Sequence, residues 1–443
     1  MSDAQYKCWH PKALKAEERT AHFLLKVPIG YLPGEENIGS DASRPKGIFP
    51  RVPLQVKRLI YLTSFSSVAY GYLMMSVAAY LPEVGITSGQ VGLLLGLNGA
   101  ALVVTAVPVG LLADRIGRKS IFIWGLAGLS PIMLVYAFTT DFTFLAIASV
   151  FAGLAEGAFL STWNAMIADQ TGHGGREEAF SMSFIFNTSS TSIGYALPLA
   201  FPALQALTGL DSRGIHSSVF FVLAIVAFIS PLALRSMLRH YYDRAEFGKT
   251  SIRKIRNLRV ILKFSAINSL IGLGAGFVIP LIPTYLFLRF SLPDTYTGPL
   301  LALSGITIGL VSVFSPWLAR KFGIVRAIVL TQGISTVFMF AIPFMPDAST
   351  AAAVYLVRAA LMNMGGPLVD TFMMGIVAKE ERGVASAINM VIWRLPNSVT
   401  TIAGGILLAS GQFVLPFIIA ALFYVLAITL FFFNFKDVKL KGE

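Results

Sequence analysis

The chain has 443 residues, 55% hydrophobic and only 13% charged, with a mean hydropathy of +0.70 and a formal net charge of +12. This composition excludes an ordinary water-soluble domain of such length and identifies an integral membrane protein. In a soluble chain the positive charge would point to nucleic acid; here its placement matters more, and no nucleic-acid partner is expected.

Residues 1–56 mix charge with Pro and Gly and hold no apolar run of signal-peptide type. Within them "ALKAEERTAHFLLKV" has the pattern of a short amphipathic surface helix, although a mobile tail suits the segment better. The single cysteine, Cys8, excludes an internal disulfide and a cysteine metal site.

Lipid offers the backbone no hydrogen-bond partners, so each crossing needs roughly 20 mostly apolar residues in a helix. Twelve such runs are predicted, near 58–81, 89–113, 120–139, 142–168, 179–207, 217–238, 259–289, 296–320, 324–345, 349–378, 383–410 and 412–434. Of the 35 Lys and Arg, ten lie at or before the start of the first run and 21 at the breaks after even-numbered runs or in the tail, whereas only Arg213 and Arg289 lie on the other side. The positive-inside rule then places both termini in the cytoplasm of a multi-pass plasma-membrane protein.

At the end of the second run stands "GLLADRIGRKS", residues 110–120. Gly110 permits close helix approach, Asp114 is poorly placed for a helix C-terminus and needs a cationic or N-terminal partner, and Gly117 permits the tight turn. Arg115, Arg118 and Lys119 hold that turn at the membrane surface. The fourth run contains Glu156 and Asn164, and the "GHGG" that follows at 172–175 reads as a flexible loop. The segment 239–258 is a basic linker.

In the second half, Asn268 lies in the seventh run, Arg358, Asn363 and Asp370 in the tenth, and Arg394 in the eleventh. Ionisable residues inside a membrane cost ~2.5–3.5 kcal/mol each and so tend to face a cavity or a partner. Depth by helical rise places Glu156, Asp370 and Arg394 in one layer, with an Asp370–Arg394 ion pair easy to form and Arg358 near the outer face, where its stem can snorkel to headgroups or its head can bind solute. Asn98, Asn164, Asn268, Asn363 and Gln332 offer neutral hydrogen bonds, to solute or between helices. "MNMGGPLVDTFMM" carries Gly365, Gly366 and Pro367 within one run and predicts a kink.

The two halves align at a fixed offset of 206 residues. It pairs "ADRIGRK" (113–119) with "ARKFGIV" (319–325), hence Gly117 with Gly323 and Arg115 with Lys321, beside Arg320; it also pairs Gly99 with Gly305 and Arg176 with Arg382. The fold expected is therefore all-α, with twelve transmembrane helices in two pseudo-symmetric six-helix bundles, 57–238 and 259–435, followed by a tail, 436–443.

"GLLADRIGRKS" resembles the signature between the second and third helices of the major facilitator superfamily (MFS), matching at Gly110, Leu112, Ala113, Asp114, Arg115, Gly117, Arg118 and Lys119, with a decayed second copy around Gly323. The resemblance covers 57–435. It implies that Asp114 bridges the two bundles in the outward-facing state as a gate, and that helices 1, 4, 7 and 10 line a cavity. Glu156 and Asp370 then become the first candidates for proton or substrate contact, because a cavity carboxylate can exchange a proton as a cationic group approaches. The helix 4 motif of proton-coupled drug exporters is missing, Gly153 standing where its arginine would be, and the helix 5 signature is poor, with Gly194 and Pro198 separated.

No P-loop, G-x-S-x-G or H-E-x-x-H occurs, so neither enzyme activity, a cofactor nor a metal site is expected. The function read from these features is secondary transport of a small organic solute by alternating access, coupled to protons or another ion, by a monomer in contact with membrane lipid. Export of amphipathic compounds is preferred over uptake or exchange of an anionic metabolite read by Arg394 or Arg358. A non-transporting receptor or a lipid scramblase on the same scaffold is the reading from a different class.

Overall fold

A computed structural model describes residues 49–171, 175–238, 257–378 and 381–438, the side chains of Val107 and Asp114 excepted. The amphipathic tail segment, most of the GHGG loop and of the basic linker, and the last residues of the chain fall outside this set. All elements below belong to the compact unit Arg51–Glu443.

Among the described residues twelve long helical rods are present: α1 Leu54–Ala78, α2 Ser88–Ile116, α3 Arg118–Phe138, α4 Phe142–Gln170, α5 Arg176–Ala196, α6 Ser212–Met237, α7 Leu258–Phe290, α8 Asp294–Ser312, α9 Ile324–Phe344, α10 Ala348–Ile376, α11 Arg382–Ala409 and α12 Leu415–Phe435. Ten of them are apolar and long enough to cross a membrane by composition alone. The other two, α1 and α5, are diluted by serine, threonine and tyrosine: α5 turns Asn187, Thr188, Thr191, Ser192 and Tyr195 toward the interior between the halves, while α1 turns Tyr70 there and spends its other polar side chains inside the first half. This is the twelve-helix, two-bundle architecture predicted.

Acidic residues cap three of the even helices, α4, α6 and α10, at one end. Asp141 accepts hydrogen bonds from the amides of Thr143 and Phe144, Asp211 from Gly214, and Asp347 from Ser349 and Thr350; Thr87 and Gln90 form a capping box at α2. A carboxylate at a helix N-terminus satisfies free amides and complements the dipole. The opposite end carries the basic residues and is the basic end of the molecule; the acid-capped end is its far end.

Both short turns at the basic end are built on glycine. Gly117 and Gly323 have φ of 104° and 78°, a region other L-residues avoid, and their amides close on Ala113 and Ala319. Arg176 donates to the Ala168 carbonyl and Arg382 to the Met374 carbonyl. Each of these pairs is related to its counterpart by the same 206 residues, so the offset found in the alignment recurs in contacts.

It recurs also between the halves, where α2 runs along α11 and α5 along α8. A Cβ on Gly99 would lie 2.2 Å from Ser398 Oγ, and one on Gly305 would lie 2.6 Å from Ser192 Oγ; one on Gly92 would reach the Thr401 carbonyl and one on Gly298 the Tyr195 carbonyl. Each member of the first seam is displaced by 206 from its equivalent in the second. These seams lie toward the far end, where one hydrophobic core draws on both halves, from Tyr72 and Phe220 to Tyr285 and Phe417. At the basic end Phe264, Phe372, Phe431 and Phe435 form a cluster of the second half alone. The halves are thus closed together at the far end and apart at the basic end.

Within the first half the tightest approach is at Gly153, not Gly110. A Cβ on Gly153 would sit 2.1 Å from the Asn98 carbonyl oxygen and 2.8 Å from Ala101 Cβ, whereas one on Gly110 would meet Ser161 Cβ at an ordinary 3.6 Å. No side chain fits at 153, which is a physical reason why the exporter arginine is absent there. Gly153→Val is accordingly expected to cost about 1–3 kcal/mol by overpacking, visible as a lower melting temperature in detergent, while Gly110→Ala leaves it unchanged.

Candidate functional site

Between the halves lies a cavity of about 810 Å3, lined by α1, α2, α5, α7, α8, α9, α10, α11 and α12. Its wall is rich in amides and aromatic hydroxyls: Asn98, Asn187, Asn268, Asn363, Asn389 and Gln332 alternate with Tyr70, Tyr195, Tyr355 and Tyr424. Several of these are tied to one another. Asn268 donates to Asn389 at 3.1 Å, Asn363 to the Ala359 carbonyl, and Ser67 to Asn187, which donates in turn to Ser183.

Glu156 and Arg394 meet across the halves at the middle of the membrane. The Tyr70 hydroxyl donates to Glu156 Oε2 at 2.7 Å, and Arg394 Nη2 stands 3.7 Å from Glu156 Oε1. Glu156 is therefore a partnered carboxylate, contrary to its appearance in the sequence. The long ion-pair distance leaves Arg394, whose side chain is 33% exposed, directed into the cavity.

The Asp370–Arg394 pair does not form. Asp370 is six residues from the basic end of α10 and Arg394 twelve from that of α11, so they differ in level by about 9 Å at 1.5 Å per residue. Glu156, fourteen residues from the end of α4, stands within about 3 Å of Arg394's level by the same count. Asp370 lines the basic-end part of the cavity, with no acid–base partner among the described residues. The expected kink is present: α10 breaks at Gly365, and the freed Met364 carbonyl accepts a hydrogen bond from Ser315 at 2.7 Å.

Arg358 does not snorkel. α10 extends to Ala348 at the far end, which leaves Arg358 about 15 Å inside it, and the residue is 3% exposed. Its Nη2 donates to the Tyr424 hydroxyl at 2.7 Å, its carbonyl accepts from Ser335, and its Nε is buried without a hydrogen-bond partner. Asn164 is exposed and forms no part of the cavity wall, because eight residues beyond Glu156 the helix has turned by about 80°.

The motif residues lie at the basic end. Arg118 pairs with Asp169 at 2.9 Å and Lys119 donates to the Leu238 carbonyl, so both tie α3 to neighbours in its own half. The Asp114 side chain is not described. Arg115 and Arg320 are exposed, and Lys321 stands 5.0 Å from the Trp317 ring. Among the described residues no hydrogen bond or ion pair joins the halves at this end.

At the far end three polar ties do. Thr284 donates to the Ala78 carbonyl, and the Asp294 amide donates to Glu83, in the short helix Tyr80–Glu83, at 2.6 Å. His216 Nε2 of α6 approaches Asp294 Oδ2 of α8 to 3.0 Å, without the alignment of a hydrogen bond, and the two are 1% and 2% exposed. Nδ1 of His216 shares a 2.7 Å hydrogen bond with the Tyr72 hydroxyl, and the Tyr80 ring stacks on the imidazole at 3.5 Å. Burial, with Asp294 beside it, pushes the Glu83 carboxyl up to about 7.

Sequence reasoning missed Tyr70, Asn187, Asn389 and this far-end cluster. The polar spacing Asn187, Thr188, Thr191, Ser192 and Tyr195 on α5 was a usable signal, since it repeats at helical period. His216 and Asp294, 78 positions apart, gave none.

The chain matches the model of the Major Facilitator Superfamily over residues 59–401. The uncharacterised membrane protein YJR124C of Saccharomyces cerevisiae is 23% identical over 360 residues, 70% of this chain and 80% of that one. The uncharacterised MFS-type transporter YceJ of Bacillus subtilis is 23% identical over 350 residues, 73% and 81% of the two chains. Among solved structures, a bacterial homologue of the human lysosomal transporter Spinster, in an inward-facing and occupied conformation, superposes with a TM-score of 0.69 at 15% identity, over 90% of this chain and 100% of the other.

Proposed function

The chain belongs to the major facilitator superfamily, and from that premise we propose that it is a proton-coupled secondary transporter that moves a small organic solute through the central cavity by alternating access, with export as its working direction. The basic end faces the cytoplasm by the positive-inside rule, so the structure is an inward-facing state of the cycle and both termini are cytoplasmic. The plasma membrane is the proposed location and the monomer the proposed working unit, with the "GLLADRIGRKS" segment and its copy at Arg320, Lys321 and Gly323 as the gate of the cytoplasmic end.

The observation that carries this reading is the Tyr70–Glu156–Arg394 contact. It places an acid that can take up a proton against a cation of the other half; the acid lies in a smaller pocket beside the chamber, sharing Tyr70 with its wall, and the cation lines the chamber itself. Protonating Glu156 removes its attraction for Arg394 and so loosens a tie between the halves, which links proton uptake to the change of access. Reconstituted protein tests it. A solute selected by thermal-shift screening against metabolites and drugs is expected to accumulate against its gradient when a pH difference is imposed, and to stop when a protonophore is added. Flux indifferent to the pH difference would remove the coupling.

A further inference from the structure

Arg358 is a buried guanidinium on the cavity wall, and no carboxylate pairs with it among the described residues. Buried charges are ordinarily paired, because leaving water costs more than neutral hydrogen bonds return. Among the described residues the one hydrogen-bond partner of its charged head is the hydroxyl of Tyr424, whose ring lies 5.6 Å from the guanidinium carbon. Tyrosine supplies a neutral acceptor and a polarisable face, which hold the fork in position without cancelling its charge. The backbone beneath is fixed by Ser335. Nε is enclosed without a partner, whereas Nη1, which makes no hydrogen bond among the described residues, is not sealed.

The charge balance of the chamber narrows the ligand. Arg394 already faces Glu156, which leaves Arg358 as the uncompensated cation of the inner part of the cavity, while Asp370 stands toward the cytoplasmic mouth. One free guanidinium edge matches one planar monoanion, since a carboxylate accepts two parallel N–H bonds from a single fork. A phosphate dianion calls for a second free cation, and among the described residues the other cation on the wall, Arg394, already faces Glu156. The amides around it suit a polar organic body.

We propose that Arg358 is the anion-binding element of the solute site and that the solute is an organic monocarboxylate, its carboxylate seated on the Nη1 side of the guanidinium, beside Tyr424. This rests on the reading of the chamber as the transport site and gives that site its substrate class.

The test measures binding without transport. The full-length protein in detergent is titrated, by thermal shift and calorimetry, with unbranched monocarboxylates from acetate to octanoate and with benzoate and phenylacetate, each against its neutral primary amide and its phosphonate. At least one carboxylate is expected to bind with an affinity tenfold or more above its amide and above its phosphonate. Arg358→Gln is expected to abolish that preference, and Arg358→Lys, which keeps the charge but not the fork, to weaken binding about tenfold. Should the Gln variant fail to fold, the Lys variant decides. Amide binding equal to acid, phosphonate binding tighter than acid, or unchanged affinity in Arg358→Lys overturns the assignment. Binding that depends on Arg358 but produces no flux in proteoliposomes leaves the anion site standing and removes the transport reading. Flux of solutes that show no Arg358-dependent binding does the reverse.

Discussion

Glu156→Gln is expected to leave solute exchange across proteoliposomes running while gradient-driven accumulation falls at least tenfold. The substituted amide keeps the size of the side chain and can still accept the hydrogen bond from Tyr70, 2.7 Å away in the native protein, so the cavity wall is preserved. It cannot take up or release a proton, and it presents no charge to Arg394, which stands 3.7 Å from the native carboxylate. The tie between the halves is then permanently in the state that protonation would produce. Exchange of solute for solute, which needs no net proton movement, continues. Arg394→Gln alone strands the carboxylate and is expected to be the more damaging change. The double variant should recover part of the exchange rate, since two groups in contact are not additive. If accumulation survives in Glu156→Gln, the coupling proton sits elsewhere, and Asp370 becomes the residue to replace.

Asp294→Asn is expected to open the far end. His216 and Asp294 are both sealed from solvent and belong to different halves, so the substitution leaves an imidazole and the Tyr72 hydroxyl facing a neutral amide in a buried site. Leaving a buried polar group facing the wrong partner costs about 1–3 kcal/mol, which moves an equilibrium by about one to two orders of magnitude. Here that cost falls on the closed arrangement alone, because in an open one the residues meet water. The change is measurable by attaching a probe to a single cysteine replacing Ala79, which is buried and off the cavity wall, in a Cys8→Ser background. Labelling should accelerate in Asp294→Asn and in His216→Ala, and labelling as slow as in the native protein would show that the pair does not hold the halves together.

The neighbouring Glu83 adds a dependence on pH. Its carboxyl titrates near 7 when the far end is closed, mainly from burial and then from Asp294, and returns to the ordinary carboxylate range once water enters. The closed arrangement therefore holds this proton more tightly, and its advantage is largest in acid and is lost as the pH rises through about 7. The ratio of open to closed forms should change by at most about tenfold per pH unit from this group. Glu83→Gln should flatten that part of the profile.

The helices and their order were legible because lipid imposes length and polarity on every crossing, and the duplication because its offset survives in residues that cannot vary freely. Gly117 and Gly323 need positive φ, and Gly99 and Gly305 have a serine against the backbone. The candidate site was legible in its charges and not in its pairings. Counting rise from a drawn helix end put Asp370 and Arg394 in one layer, and the actual ends, Ile376 and Arg382, separate them. The same count put Arg358 near the surface because α10 is longer than the hydrocarbon core. Glu156 lay within the predicted set, but Tyr70 was hidden in a helix whose serines and tyrosines lower its hydropathy. Contacts between residues far apart in sequence, such as His216 with Asp294, carry no periodic signature at all.

The paired seams have a mechanical consequence. Where glycine on α2 and α8 lies against backbone and serine of α11 and α5, few bulky side chains interlock, Ile402 against Gly96 being one that does, so the two halves meet as nearly smooth bearings that can roll with little disengaging of knobs from sockets. Friction in such a joint is low, and what parks it in one posture is a handful of polar latches. Evolution can therefore retune the resting posture of this machine by exchanging one or two of those latches, leaving the bearings untouched.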